Sequence, residues 1–282
     1  MNNFEHCAAL VREADRDRYL ASLFAPAEHR DALYALYAFN VEVSRVRDLA
    51  REPIPGEIRL QWWREVLAGE REGEAAAHPV GAALRATLSR YGFVATPLLE
   101  LIDARTFDLY DEPMASADAL ELYAIRTQSP IFAMAAGILS GGAVAGELFT
   151  LDASVAFAIA GILRNFGRNT ARRQLCVPME ILERHAVKPA DIFAARVTAP
   201  LLSALAEMRA IVRRHLAAAR EKLKPAPAEI MPAFLPVALV GPQIRGMERA
   251  NYRPFQPQVM SPLRRQWLLW RAARDPGQIF QA

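Results

Sequence analysis

Cysteine is scarce in this chain. There are two in 282 residues, Cys7 and Cys176, and they form no CxxC pair. Neither a zinc site nor a disulfide framework is indicated, and a reducing cytoplasm fits best. Long apolar runs are lacking too. The apolar run Ile131 to Gly146, within an uncharged stretch that opens on the polar Thr127-Gln128-Ser129, covers about 16 residues where a membrane span needs about 20. It reads as a buried helix of small residues, which excludes an integral membrane protein but leaves a visit to a membrane surface open. Neither sign of charge dominates: 34 Lys and Arg against 31 Asp and Glu leave a net charge of +3. That bias is too mild to imply nucleic acid without a local basic cluster. The polar start, Met1 to His6, has no apolar signal core. Phosphate loops, GxGxxG turns, HExxH and GxSxG motifs are all missing. The histidines (His6, His29, His78, His185, His215) are scattered and read as surface or satisfied structural residues.

What is present is apolar helix. Hydrophobic residues make up 52% and charged residues 23%, enough to form a sizeable core and to exclude disorder. Apolar residues recur at three- and four-residue steps over 27–51, 57–69, 79–91, 97–110, 116–137 and 151–169, and alternating strand patterns are almost absent. Leu201, Leu205, Met208, Val212, Leu216 and Leu223 mark a long amphipathic helix, 229–239 a shorter one interrupted by Pro232 and Pro236, and 261–274 a last one. The run Glu52-Pro53-Ile54-Pro55-Gly56 reads as a helix stop. No linker or repeat divides the chain, so the expectation is one all-α domain over 1–282. The basic pairs Arg213-Arg214 and Arg264-Arg265 read as solvated helix faces, with phosphate or lipid binding as the alternative.

Two segments interrupt this pattern. In one, Asn40, Ser44 and Asp48 stand four residues apart within an apolar helix; in the other, Asn165 and Asn169 do. Such spacing stacks side chains on one face. Polar stripes on long helices commonly face a bundle cavity, where helical proteins build sites, although helix capping or simple exposure explains the same spacing. Arg45, Arg164 and Arg168 border the stripes and could hold phosphate without a metal. Pairing of these arginines with acids such as Glu42 and Glu57 is the plainer expectation.

The chain resembles the squalene/phytoene synthase family over most of its length. Leu36-Tyr37-Ala38-Phe39 is similar to the start of that family's first aspartate-rich helix, and Gly161-Ile162-Leu163-Arg164 to the start of its second. The stretch around Asp108, with Leu120-Glu121-Leu122-Tyr123, is similar to the middle region. The resemblance implies an all-α isoprenoid-synthase bundle around a central cavity. It also implies magnesium ions, held by carboxylates on two helices, that bind the diphosphates of two prenyl substrates.

The departures matter more than the match. The family's leading aspartates fall on Ser44 and Arg45, leaving Asp48, and both aspartates of the second motif fall on Asn165 and Asn169. Magnesium wants carboxylate oxygens, so these positions imply a degenerate site with no metal, no other cofactor and no catalytic residue. Tyr37-Ala38-Phe39-Asn40-Val41-Glu42-Val43 together with Gly56-Glu57-Ile58-Arg59-Leu60-Gln61-Trp62-Trp63-Arg64 is similar to a divergent branch of the family. Members of that branch act in the assembly of respiratory complex I. The branch implies complex I subunits or an assembly intermediate as partners, a prenyl or lipid ligand, no nucleic acid, and a cytoplasmic location at the periphery of the inner membrane. The alternative is an active magnesium-dependent prenyl diphosphate transferase with a relocated metal site built from Glu42, Asp48, Asp103 and Asp108. Trp62 and Trp63 read as core or interface anchors. The irregular stretch 245–262 reads as a cover over the cavity mouth, with contact to a membrane headgroup layer as the alternative.

Overall fold

A computed structural model describes residues 2–50, 52–110, 112–142 and 150–281, and among these there is no strand. In chain order the helices are α1 (Asn3–Ala14), α2 (Arg16–Ser22), α3 (Ala27–Ser44), α4 (Val46–Leu49), α5 (Pro53–Ala68), α6 (Glu72–Ala77), α7 (Pro79–Tyr91) and α8 (Thr96–Thr106). Next come α9 (Ala117–Leu139), α10 (Thr150–Arg164), α11 (Phe166–Ala171), α12 (Met179–Arg184), α13 (Pro189–Phe193) and α14 (Ala199–Leu223). The last are α15 (Met231–Phe234), α16 (Val240–Gly246) and α17 (Pro262–Arg274). They fall into two compact units. The first takes 1–110, 129–147 and 226–236, and the second takes 111–128, 148–225 and 237–282.

The first unit is organised round α3. Every residue from Ala32 to Val41 is buried, as a helix apolar on all sides requires, and α1 and α7 pack against it. Arg18 is buried there as well. It pairs with Asp15 at 3.0 Å and lies over the rings of Tyr37 and Phe132, so its charge is met by a carboxylate and two π faces. Phe132 stacks in turn on Phe234. In the second unit α10 packs on α14 and α16. All six residues of the α14 apolar stripe are buried. His215 on α14 places Nδ1 2.7 Å from Asp152 on α10 and Nε2 3.1 Å from Glu121 on α9. Lys222 Nζ also donates to Asp152. Burial pushes the Asp152 carboxyl up, but these hydrogen bonds outweigh it and hold it below its usual value.

Several expected boundaries move. The helix expected over 27–51 breaks at Arg45, and that over 151–169 breaks at Asn165. The supposed stop at Pro53 is instead the first turn of α5, where proline's missing N–H costs nothing. The stretch 229–239 is 3-10 turns around the single turn of α15, because Pro232 and Pro236 cannot continue an α ladder. The uncharged run from Ile131 is buried helix as far as Leu139, then turns at Gly141 and Gly142; 143–146 lie outside the described residues. Among the described residues no helix is long and apolar enough to cross a membrane. Arg213 and Arg214 do more than face solvent: they pair with Glu248 and Glu121.

Candidate functional site

The first motif lies in the first unit. Asn40 is 5% exposed, and its amide oxygen is buried without a hydrogen-bond partner, a state that costs about 1–3 kcal/mol. Ser44, half-buried at the end of α3, donates its hydroxyl to the Val41 carbonyl at 3.2 Å. Arg45 is exposed at the break, with φ −94° and ψ 1°. Asp48 is exposed on α4. Asn40 and Ser44 therefore share a helix, and Asp48 belongs to the next one.

The second motif lies in the second unit and breaks its helix in the same way. Arg164 ends α10, Asn165 sits at φ −95° and ψ 10°, and α11 carries Arg168 and Asn169. Both asparagines are half-buried and Arg168 is exposed. Their side-chain amides hydrogen-bond to no other described residue. The basic run after them acts as a helix stop. Arg173 takes a left-handed φ of 60°, and the Gln174 amide returns to the Asn169 carbonyl at 3.0 Å. The irregular stretch 245–262 lies over this helix: the Phe255 ring is 5.3 Å from Phe166, and the Phe255 backbone rests on Gly167. The first residues of the stretch belong to α16.

Sequence reasoning missed a polar cluster beside this segment. Arg209 is 8% exposed, with Nε and Nη1 buried and unpartnered by any hydrogen bond; Glu248 stands 3.9 Å from Nε. Its guanidinium lies over the Tyr252 ring, whose hydroxyl is also buried without a partner. Burial lowers the Arg209 pKa and raises that of Tyr252. The signal was available: Arg209 falls on the apolar stripe of α14, at i+4 from Leu205 and i−3 from Val212.

The motif residues do not fit a magnesium clamp. Arg45 beside Ser44 is cationic, the Ser44 hydroxyl, which donates to the Val41 carbonyl, is neutral, and the asparagines bring neutral oxygens. The relocated set is not assembled either. Asp103 is held by Arg64 at 2.8 Å and Asp108 by Arg105 at 3.0 Å. No group of three or more acids, histidines or cysteines able to hold a metal occurs among the described residues. Glu57 accepts from the Tyr110 hydroxyl.

Glu42 belongs elsewhere. With Val46, Arg59, Trp62, Trp63 and His78 it lines a cleft of about 200 Å³. This cleft accounts for the tryptophan pair. Trp63 is buried edge-on to Phe39, and Trp62 packs against Trp63 and His78 while its Nε1 donates to Glu74 at 2.9 Å. His78 Nδ1 accepts from the Gly81 amide and caps α7. Burial holds the imidazole below the ordinary histidine value, against the field of Glu42.

Comparison with known proteins supplies the family. Complex I assembly factor 6 of Rattus norvegicus is 29% identical over 254 residues, covering 90% of this chain and 76% of that protein; the Homo sapiens protein is 27% identical over the same length. Phytoene synthase 3 of Zea mays is 26% identical over 226 residues, 77% of this chain and 50% of that one. Among solved structures, a dehydrosqualene synthase bound to a ligand superposes with a TM-score of 0.83 at 16% identity, covering 96% of this chain and 95% of that one. A squalene synthase from Alicyclobacillus acidocaldarius gives 0.75 at 21%, covering 91% and 95%. These likenesses establish an isoprenoid-synthase helical fold. The squalene/phytoene synthase sequence model runs along residues 11–271, through both broken motif helices, and the chain belongs to that family.

Proposed function

We propose that the chain works in the assembly of respiratory complex I, on a squalene/phytoene synthase scaffold whose metal site is degenerate. The observation that carries this reading is the charge at four motif positions. Where the family's pattern has aspartates, Ser44, Arg45, Asn165 and Asn169 replace a charge of −4 by +1. A diphosphate leaving group needs cations gathered around it, and a site that repels them forfeits about 3–4 kcal/mol per lost stabilising group. The resemblance to the complex I assembly factors of animals, over nine-tenths of the chain, supports the role. The scaffold then holds a partner or an anionic prenyl or other lipid without turning it over; Arg45, Arg164 and Arg168 are the candidate phosphate contacts.

Two measurements test the reading. Deleting the gene should lower the NADH:quinone oxidoreductase activity of host membranes, and unchanged activity overturns the assembly role. Purified protein given a prenyl diphosphate and magnesium should release no pyrophosphate. Release that disappears in Asp48→Ala would establish a working transferase instead. Restoring the carboxylates together (Ser44→Asp, Arg45→Asp, Asn165→Asp, Asn169→Asp) should create a magnesium-dependent rise in melting temperature that the natural chain lacks.

A further inference from the structure

We propose that α17 docks on an anionic lipid bilayer through its outward face. The helix has two apolar sides. Leu268, Leu269 and Ala272 are buried and hold it on the second unit. On the opposite side Leu263 is 80% exposed, Trp267 52% and Trp270 46%, and Val259, just before the helix, is 86% exposed. At 100° per residue, Leu263, Trp267, Trp270 and Arg274 fall within one narrow stripe, with Arg264 and Arg271 along its flank. The stripe contributes little to holding the helix in place. Large apolar side chains gathered on such a face mark an interaction surface.

The chemistry of the stripe selects the occupant. Each tryptophan carries an arginine over its ring: Arg271 lies 4.8 Å from the Trp267 centroid and Arg274 4.5 Å from that of Trp270. Indole rings level with guanidinium groups are what the boundary between headgroups and acyl chains accommodates. From Arg249 to Arg274 there are six arginines and no acidic residue, although the chain as a whole is nearly balanced. The complementary surface is therefore negative. It is also broad, because the stripe is a ridge along one helix and not a groove that would receive a peptide. A short amphipathic helix bearing tryptophan, leucine and arginine meets both conditions at an anionic bilayer. The solvated face expected of Arg264-Arg265 becomes in part a contact face: Arg264 is exposed, and Arg265 turns inward.

Sedimentation with vesicles of one part phosphatidylglycerol to two parts phosphatidylcholine tests this on the full chain. Binding should exceed that to pure phosphatidylcholine and weaken as salt rises. Each exposed arginine near such a surface is worth about fivefold in partitioning, so Arg264→Gln with Arg274→Gln should cost about twenty-five-fold. Neither substitution touches the buried side of α17, so folding is preserved. Trp267→Ser should weaken binding further, and brominated lipids should quench fluorescence in the natural chain more than in Trp267→Ser. Equal binding to neutral vesicles, or binding unchanged by both variants, overturns the proposal. So does lipid-free self-association abolished by Trp267→Ser, which would make a second copy of the chain the occupant. Salt-sensitive binding of duplex RNA without vesicle binding overturns it as well.

Discussion

Two glycines six residues apart should respond oppositely to the same added methyl group. Gly161 lies inside α10, and a Cβ built there meets nothing within 4 Å. Gly167 lies in α11, and its Cβ would stand 2.2 Å from the Phe255 carbonyl oxygen, where 3.0 Å is the least that real contacts show. The shortfall of 0.8 Å is against backbone, which no rotamer change can relieve. Either α11 or the 253–256 segment has to move, and overpacking of that kind costs about 1–3 kcal/mol. Alanine's better helix propensity returns up to about 1 kcal/mol. Gly167→Ala should therefore lose about 1–2 kcal/mol, lowering the melting temperature by roughly 2–8 °C for a chain of this size. Gly161→Ala should gain about 0.5–1 kcal/mol. Thermal and urea unfolding followed by circular dichroism measure both. If Gly167→Ala proved as stable as Gly161→Ala, the Phe255 segment would not rest on the second motif helix.

Two further predictions concern buried polar groups. Arg209 keeps two nitrogens out of water without hydrogen bonds, and Glu248 retains Arg213 as a partner. Arg209→Met should therefore leave stability unchanged or raise it by about 1 kcal/mol in urea unfolding; a loss above about 2 kcal/mol would show the guanidinium to be satisfied after all. His78 caps α7 with a nitrogen that must stay unprotonated, and its folded pKa is depressed by burial. The unfolded chain then takes up a proton first as pH falls, so this contribution is complete above about pH 6.5 and declines below it. His78→Asn keeps a capping group that does not titrate. The difference in unfolding free energy between about pH 7.5 and 5.5 should shrink in that variant. An unaltered pH profile would remove His78 from the account.

Much of the helical scaffold was legible because burial writes a period into the chain. The α14 stripe and α7 appear where their apolar spacing puts them. Proline and the N-terminal helices were harder to read. Pro53 resembles a stop only if its place in a first turn is overlooked. Glu13, Asp15, Arg16, Asp17 and Arg18 crowd the junction of α1 and α2, and Arg18 is buried by a pairing with Asp15 that polarity alone does not suggest. The breaks at Arg45 and Asn165 were equally invisible, since an i, i+4 pattern continues across a single residue whose ψ has drifted to near zero.

Those breaks bear on what the motif positions can do. A straight helix would stack Asn40, Ser44 and Asp48 on one face. The break leaves the lone carboxylate on α4, exposed, with Arg45 between it and Ser44. Putting back one aspartate in the first motif would not rebuild a clamp, because the Arg45 guanidinium would neutralise a carboxylate added beside it and repel the metal ion. At an effective dielectric of about 20, a unit charge 4 Å away contributes about 4 kcal/mol to the placement of another. The guanidinium and the divalent ion therefore compete for the same ground. Any recovery of magnesium binding at the first motif should require replacement of Arg45 first, as calorimetric titration with magnesium would measure.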